Sequence, residues 1–350
     1  MNRRIFLVAS GGAALLPLRA RAQAAAAQIT GAGATFPAPV YAKWGEAAQR
    51  AVGVQLNYQA IGSGGGQTQI RNRTVDFGAS DAPMSAEQLQ EHKLLQFPTV
   101  MGSVVPIVNL PGIEADALKL TGELLAEIYL GRITKWNDPK LAEINQGVSL
   151  PNLAIAPAYR ADGSGTTFVF ASYLSAVSPE WKGKVGAATS VRWPTGTGAR
   201  GNDGVAGTVR NIRGAIGYVE NAYAHTNKLT TTQLRNKAGN FVKPTMESFT
   251  AAAGNADWSS PNFAANLIDT GGAGSWPVVS PTFILLPMNP QDAARSAAVM
   301  RFFDWAYRNG DGLARELEYI PLPGTVAEAV RAAWGREVKG PNGQPVWPAG

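Results

Sequence analysis

The sequence predicts an α/β protein of two lobes with a cleft between them. Strand patterns and helical patterns alternate in two blocks, and one long apolar strand, predicted from Val100 to Leu110, lies between the blocks. The 39 glycines and 23 prolines fit the short connections of such a protein, and 350 residues are enough for two domains. In this class, ligands bind outside the carboxyl ends of parallel strands.

The first block begins with a strand at Ile29, and Pro37 suits the first turn of the helix that follows. The apolar residues of this helix recur at helical spacing: Val40, Trp44, Ala47, Ala48 and Ala51. Alternation of apolar and polar residues predicts a strand over Val54–Ala60. The glycine-rich turn 61–66 then leads into a polar helix with Ile70 facing inward.

A short strand that breaks into a turn occupies Val75–Pro83, and Ser85 caps the next helix with Gln88 three residues later. After Val100–Leu110 the same criteria predict a helix over Leu124–Tyr129 and a loop over Gly131–Pro139. Strands are predicted over Ile155–Tyr159, Gly217–Val219 and Phe283–Leu286, with a helix that starts at Gly201 between the first two. Amphipathic helices are predicted over Ala293–Tyr307 and Val326–Trp334.

Residues 1–22 have the pattern of an export signal. Arg3-Arg4 precedes a short apolar run from Ile5 to Leu18, and Ala20-Arg21-Ala22 predicts cleavage after Ala22. The paired arginines leave a general or a twin-arginine export route open.

Without this segment, the chain has 27 basic and 25 acidic residues, so the charge balance does not suggest nucleic-acid binding. With no cysteine for disulfides, thiolate metal sites or a lipid anchor, we expect a periplasmic protein that is soluble after cleavage.

The segment Arg160–Thr166 combines a permanent cation with small hydroxyl residues and glycines ahead of a helical pattern. Ser164 occupies the N-cap position, so Gly165 and Thr166 offer free N–H groups in the first turn. A helix N-terminus beside a guanidinium is suited to an anion. An ordinary capped helix behind a surface loop explains this segment equally well.

Two further turns share this design, at Thr35-Phe36 and Ser63-Gly64. Together the three turns favour a tetrahedral oxyanion that is held by hydroxyls, N–H groups and one arginine, without a metal or cofactor. Asp81 does not fit a site for a fully ionised anion. Its ordinary interpretation is a turn residue before Pro83. Its functional interpretation is an acceptor for a proton that the ligand carries, which phosphate has and sulfate lacks at neutral pH.

These motifs resemble those of the periplasmic phosphate-binding proteins of high-affinity phosphate ABC transporters. The resemblance extends from about Ile29 to Trp347, through matching segments at Thr30–Pro39, Thr74–Pro83, Arg160–Thr166, Gly214–Glu220 and Phe302–Tyr307. It implies a type II periplasmic-binding fold, in which two lobes close on phosphate and an inner-membrane permease receives it. The ligand contacts that it implies are Thr35, Phe36, Ser63, Asp81, Arg160, Ser164, Gly165 and Thr166, with Asp162 paired to Arg160.

The same resemblance suggests a first lobe of residues 29–108 plus about 226–350, a second lobe of about 109–225, and a monomer. Two positions depart from the family. Gly64 stands where relatives often have a second serine, and Tyr159 stands where some have another arginine.

Two other functions remain possible from the residues. An exported phosphatase could use Ser164 as a nucleophile, but Gly163-Ser164-Gly165 is not a nucleophile elbow, and His92 and His225 are expected at the surface, away from it. No two-metal cluster of carboxylates and histidines is visible in the sequence. The alternative within the same fold is a binding protein for another oxyanion, arsenate or sulfate.

Overall fold

A computed structural model describes residues 27–348, so the predicted export signal lies outside the described residues. The strands are β1 Ala27–Gly33, β2 Val54–Ala60, β3 Phe77–Ser80, β4 Leu94–Val108, β5 Lys119–Leu120, β6 Ala156–Arg160, β7 Thr197–Ala199, β8 Ala215–Glu220, β9 Thr230–Thr231, β10 Gln233–Arg235, β11 Phe241–Val242 and β12 Val279–Pro287. The helices are α1 Ala38–Val52, α2 Ser63–Arg71, α3 Ala86–His92, α4 Gly122–Tyr129, α5 Pro139–Ile144, α6 Gly165–Val177, α7 Pro179–Lys184, α8 Gly201–Asn211, α9 Asn221–Thr226, α10 Met246–Ala253, α11 Ala293–Asn309, α12 Asp311–Glu316 and α13 Gly324–Glu337.

One mixed sheet of nine strands runs through the molecule in the order β2-β1-β3-β12-β4-β8-β6-β7, with β9 beside β4. We call the part around β2, β1, β3 and β12 the first lobe and the part around β8, β6 and β7 the second lobe. Strands are parallel where β1 meets β2 and β3, and where β6 meets β7 and β8. The expectation of parallel sheets therefore holds at the outer strands. It fails at the centre, where β12 runs antiparallel to β3 and β4, and β4 runs antiparallel to β8.

Strand β4 belongs to both lobes. Its residues Leu94–Ser103, except Thr99, pair with β12, and its last five, Val104–Val108, pair with β8. All 15 residues of the strand are buried. This explains the unbroken apolar run, because a central strand is covered on both faces. The strand begins six residues before the predicted Val100.

Two aromatic clusters hold helices against the sheet. In the first lobe, Phe303 of α11 meets Tyr41 of α1, Phe77 of β3 and Phe97 of β4 with ring centroids 5.3–5.9 Å apart. In the second lobe, Phe170 of α6 stacks on Tyr218 of β8 at 4.2 Å. Aromatic pairs stabilise through their relative geometry as well as through buried area, so these contacts help to fix the position of each helix on the sheet. The N-terminal end of α6 is thereby held at the carboxyl end of β6.

The described part of the chain also has elements that the sequence patterns did not predict. Most are short, such as β5 and β10, which join β11 in a separate three-stranded sheet. Strands of two or three residues have too few positions to show a period. Among residues 27–348, no helix combines the length and the apolar character needed to cross a lipid bilayer.

The ends of the parallel strands bring the predicted site residues to one region. In the first lobe, β1 leads to Thr35 and β3 leads to Asp81. In the second lobe, β6 ends at Arg160 and β8 ends at Glu220. The carboxyl ends of both sets face the boundary between the lobes, as the sequence predicts.

Candidate anion-binding site

The turn Thr35-Phe36 lies between β1 and α1 and is fixed by two tyrosines. The Tyr223 hydroxyl donates to the Thr35 carbonyl at 2.5 Å, and the Tyr319 hydroxyl donates to the Phe36 carbonyl at 2.6 Å. In a planar trans peptide the N–H points opposite to the preceding carbonyl. Anchoring the Thr35 carbonyl therefore turns the Phe36 N–H away from Tyr223 and fixes its direction.

Ser63 and Asp81 lie together in the first lobe, and both are buried. Asp81 donates its N–H to the Ser63 hydroxyl at 3.2 Å, and the Thr282 hydroxyl donates to Asp81 Oδ1 at 2.6 Å. Within residues 27–348, the other carboxylate oxygen of Asp81, Oδ2, has no hydrogen-bond partner. A buried acceptor without a partner is costly, so this oxygen is well placed to accept a proton from a ligand.

The surroundings of Asp81 change its acidity. Burial raises the pKa of this carboxyl to about 7, although hydrogen bonds from Thr282 and Ser63 and the charge of Arg160 act in the lowering direction. Desolvation therefore dominates the nearby positive charge. An ionised Asp81 is therefore costly to bury, and a ligand proton shared with Oδ2 offsets that cost.

Arg160 is held in place by Asp162. Its Nε donates to Asp162 Oδ1 at 2.8 Å and its Nη2 to Oδ2 at 2.5 Å, while Nη1 donates to the Thr166 hydroxyl at 3.2 Å. Burial works to raise the pKa of Asp162, but the hydrogen bonds and charge of Arg160 and the Gly201 N–H outweigh it, so the pKa is lowered. The fork-to-fork pair keeps the guanidinium in one orientation and balances its charge.

Helix α6 begins at this site. Ser164 is its N-cap and accepts the Thr167 N–H at 3.0 Å, as the sequence predicts. Because that hydroxyl accepts from Thr167, its own hydrogen can be donated to a ligand. The Gly165 and Thr166 N–H groups are the first two of the helix and have no intrahelical acceptor. The helix dipole adds partial positive charge at the same point.

The two lobes meet around these groups. A Cβ atom placed on Gly165 would lie closer to Asp81 Oδ2 and Ser63 Oγ than the 3.0 Å that real Cβ atoms keep, so α6 approaches the first lobe directly. Gly64 donates its N–H to the Gly163 carbonyl at 2.9 Å across the boundary. That N–H is therefore not a free donor, contrary to the expectation for the Ser63-Gly64 turn. A side chain at Gly64 would place its Cβ 3.1 Å from Gly163 Cα.

The structure brings all eight predicted contact residues into one buried region. The predicted contacts with buried side chains are Thr35, Phe36, Ser63, Asp81, Arg160, Ser164 and Thr166, and Gly165 is buried among them. Asp162 lies at the edge of this region, where its side chain is 14 % exposed.

Residues that the sequence analysis missed support this region from elsewhere in the chain. They are Asn202, Thr282, Tyr223 and Tyr319, which contact Thr35, Asp81 or Phe36, and Glu220, which contacts Tyr319 and Asn202. Asn202 follows the glycine that starts α8, so the turn motif Gly201-Asn202-Asp203-Gly204 was the one local signal. The others lie far along the chain from the groups that they contact.

Glu220 is a second buried carboxylic acid, at the end of β8. Its Oε2 accepts the Ala222 N–H at 3.0 Å and lies 2.8 Å from the Tyr319 hydroxyl oxygen. Burial raises its pKa well above the ordinary value, with Tyr319 and Ala222 opposing and the charges of Asp81 and Glu318 adding to the rise. Burial therefore favours the protonated form of Glu220.

We expect Glu220→Gln to stabilise the protein increasingly as pH rises. An unfolded glutamate loses its proton near pH 4.3, whereas burial keeps the proton on native Glu220 to higher pH. The wild-type free energy of unfolding should therefore fall by up to about 1.4 kcal/mol per pH unit between the pKa of the unfolded and that of the native carboxyl. Glutamine does not titrate. Urea unfolding at pH 5 and pH 8 measures the difference between variant and wild type. A difference that stays constant with pH would contradict a raised pKa of Glu220 in the native protein.

The region offers hydrogen-bond donors, helix dipoles and two carboxyl oxygens that have no partner among residues 27–348, Asp81 Oδ2 and Glu220 Oε1, and little that resembles catalytic machinery. His92 is partly buried at the end of α3 and His225 is exposed on α9, so neither joins Ser164. Among the described residues, no group of three or more histidine, cysteine or acidic side chains could hold a metal ion. The arrangement is suited to binding a small anion that carries a proton.

Similarity to known proteins identifies the family of this chain. The model of the PBP superfamily domain matches residues 20–309. The chain is 53% identical to the phosphate-binding protein PstS of Pasteurella multocida over 91% of this chain and 93% of that protein. It is 50% identical to the PstS of Haemophilus influenzae over 90% and 95%.

Solved structures with a similar fold include a high-affinity periplasmic phosphate-binding protein bound with phosphate, with a TM-score of 0.73, 22% identity and coverage of 88% and 94% of the two chains. A human phosphate-binding apolipoprotein also has a TM-score of 0.73, at 21% identity and coverage of 91% and 98%. These likenesses show the two-lobed periplasmic-binding fold. With the sequence relatives, they show that the chain belongs to the PBP superfamily and, within it, to the PstS family of phosphate-binding proteins.

Proposed function

We propose that this protein binds inorganic phosphate in the periplasm by closing its two lobes and delivers it to an ABC-type permease. The observation that carries the proposal is Asp81 Oδ2, an acceptor without a partner among residues 27–348, buried beside donors from both lobes. The names of the relatives support phosphate as the ligand and transport as the role.

In this proposal the eight contact residues divide into donors and one acceptor. Hydroxyls of Thr35, Ser63, Ser164 and Thr166, N–H groups of Phe36, Gly165 and Thr166, and the Arg160 guanidinium donate to phosphate oxygens, and Asp81 accepts the phosphate proton. Because Asp162 balances Arg160, local dipoles carry much of the anion's stabilisation.

The single acceptor gives the site its selectivity. Sulfate has no proton at neutral pH, so it would leave Asp81 Oδ2 facing a sulfate oxygen with no hydrogen between them. Sites that lose a buried hydrogen bond in this way discriminate by about 10⁴-fold. Arsenate carries a proton and is similar in size, so weaker arsenate binding is compatible with the same site.

Calorimetric titration of the mature protein with phosphate, sulfate and arsenate tests this function. We expect one phosphate per chain, weaker arsenate binding and sulfate binding that is weaker by about 10⁴-fold. Phosphate and sulfate affinities within tenfold of each other would overturn the role of Asp81. Binding of sulfate alone would overturn phosphate as the ligand.

We also propose that the protein acts as a monomeric carrier and has no enzymatic activity. The exported-phosphatase alternative requires a base for Ser164, and within residues 27–348 the hydrogen-bond partner of that hydroxyl is the Thr167 N–H, not a side chain that could act as a base. Incubation with a chromogenic phosphate ester separates the two functions. Turnover that disappears in Ser164→Ala would support the phosphatase.

A further inference from the structure

Asn202, at the start of α8, connects the two lobes inside the site. Its side-chain nitrogen lies 2.8 Å from the Thr35 hydroxyl of the first lobe and 3.3 Å from the Thr166 hydroxyl of the second lobe. Its side-chain oxygen accepts the Glu220 N–H at 3.0 Å. Asn202 is fully buried, so these neighbours account for its hydrogen bonding.

The orientation of the Asn202 amide follows from Glu220. A backbone N–H can only donate, so the amide oxygen must face Glu220 and the NH₂ group must face the two threonines. The NH₂ group can only donate as well. Each threonine hydroxyl therefore acts as an acceptor toward Asn202.

This leaves one direction for the hydroxyl hydrogens. Thr166 accepts from Asn202 and also from Arg160 Nη1 at 3.2 Å, which occupies both of its lone pairs. Thr35 accepts from the Asn202 side chain and, at 3.4 Å, from the Asn202 N–H. With its lone pairs occupied, each hydroxyl can only donate to a further partner.

We propose that Asn202 is a positioning residue that forces the Thr35 and Thr166 hydroxyls to donate toward the ligand. By preventing both hydroxyls from accepting, it leaves Asp81 Oδ2 as the acceptor for the ligand proton. Asn202 thus sets selectivity without touching the anion. This inference rests on the proposed phosphate-binding function.

A double-mutant cycle tests the proposal. Phosphate affinity is measured by calorimetry for wild type, Asn202→Ala, the pair Thr35→Val with Thr166→Val, and all three changes together. In the wild-type background, Asn202→Ala should weaken phosphate binding by about 10- to 100-fold, because freely rotating hydroxyls lose charge-assisted donation. In the background without hydroxyls, it should change affinity by no more than about twofold.

The alternative is that Asn202 only maintains the fold, in which case the loss in affinity would be the same in both backgrounds and the proposal would be overturned. Asn145→Ala is the matched control, because the Asn145 side chain is also buried and makes three hydrogen bonds, but with Lys119 and Leu141, which are not among the site residues. It should leave phosphate affinity unchanged. Absence of phosphate binding by wild type would instead refute the proposed function itself.

Asn202→Asp gives an independent readout. A carboxylate accepts from Glu220 and offers a second acceptor to the threonines, so it reverses the direction of their hydroxyl hydrogens. We expect a loss of phosphate affinity larger than that of Asn202→Ala. Affinity equal to that of wild type would contradict the proposal, since it would mean that hydroxyl direction has no effect.

Discussion

Replacing Asp81 by asparagine is expected to let the site bind sulfate, with the phosphate-to-sulfate affinity ratio falling by about 100-fold or more. The Thr282 hydroxyl donates to Asp81 Oδ1 at 2.6 Å, so the asparagine oxygen should remain there. The amide nitrogen then takes the position of Oδ2. The free acceptor thus becomes a donor, which fits an oxygen without a proton.

Calorimetry with both anions at neutral pH measures this ratio. Asp76→Asn is the matched control, because Asp76 is a partly buried carboxylate of the first lobe that accepts the Thr30 N–H at 2.7 Å, outside the site. The control should keep the wild-type ratio. An unchanged ratio in Asp81→Asn would show that this carboxylate does not select the ligand.

Gly165→Ala is expected to weaken phosphate binding by about 100-fold or more, because the closed site has no room for the added methyl group. The new Cβ would overlap Asp81 Oδ2 and Ser63 Oγ of the opposite lobe. Neither atom lies at the end of a long flexible side chain. The lobes would have to stay further apart, and donors from both could then not reach one anion together.

Small-angle scattering with and without phosphate distinguishes failed closure from misfolding. Wild type should contract when phosphate is added, whereas Gly165→Ala should keep its open dimensions. Gly207→Ala is the control, since a methyl group at this α8 position meets nothing within 4 Å. It should retain closure and be slightly more stable, by up to about 1 kcal/mol. Contraction of Gly165→Ala with wild-type affinity would contradict the steric argument.

Much of the site could be predicted because its direct contacts are local motifs. The turn after β1, the start of α2 and the capped start of α6 each show their chemistry within a few residues. Supporting contacts have no such signal. Asn202 is 167 residues from Thr35, and Tyr319 is 283 residues from Phe36. Only the folded sheet brings these pairs together.

The error in β4 has a local physical cause. Proline cannot donate to a sheet ladder, so Pro98 argues against a strand that begins before it. The structure accommodates Pro98 with a register shift opposite Thr282 and Phe283 of β12. Thr99 has no partner residue in this register, and its hydroxyl lies 2.6 Å from the Tyr41 hydroxyl and donates to the Thr282 carbonyl at 3.3 Å. The extra residue of this bulge lies in β4 next to Pro98, and its position becomes visible only once the register with β12 is known.

The position of β12 between β3 and β4 has a consequence for biogenesis. β3 and β4 follow each other in sequence, yet a strand that begins at Val279 separates them in the sheet. Thr282, which supports Asp81, also lies 201 residues after it. A growing polypeptide therefore cannot complete the central sheet until most of it has left the ribosome. Such distant pairing slows folding, because the two ends of a long intervening segment must meet before the central strands can pair.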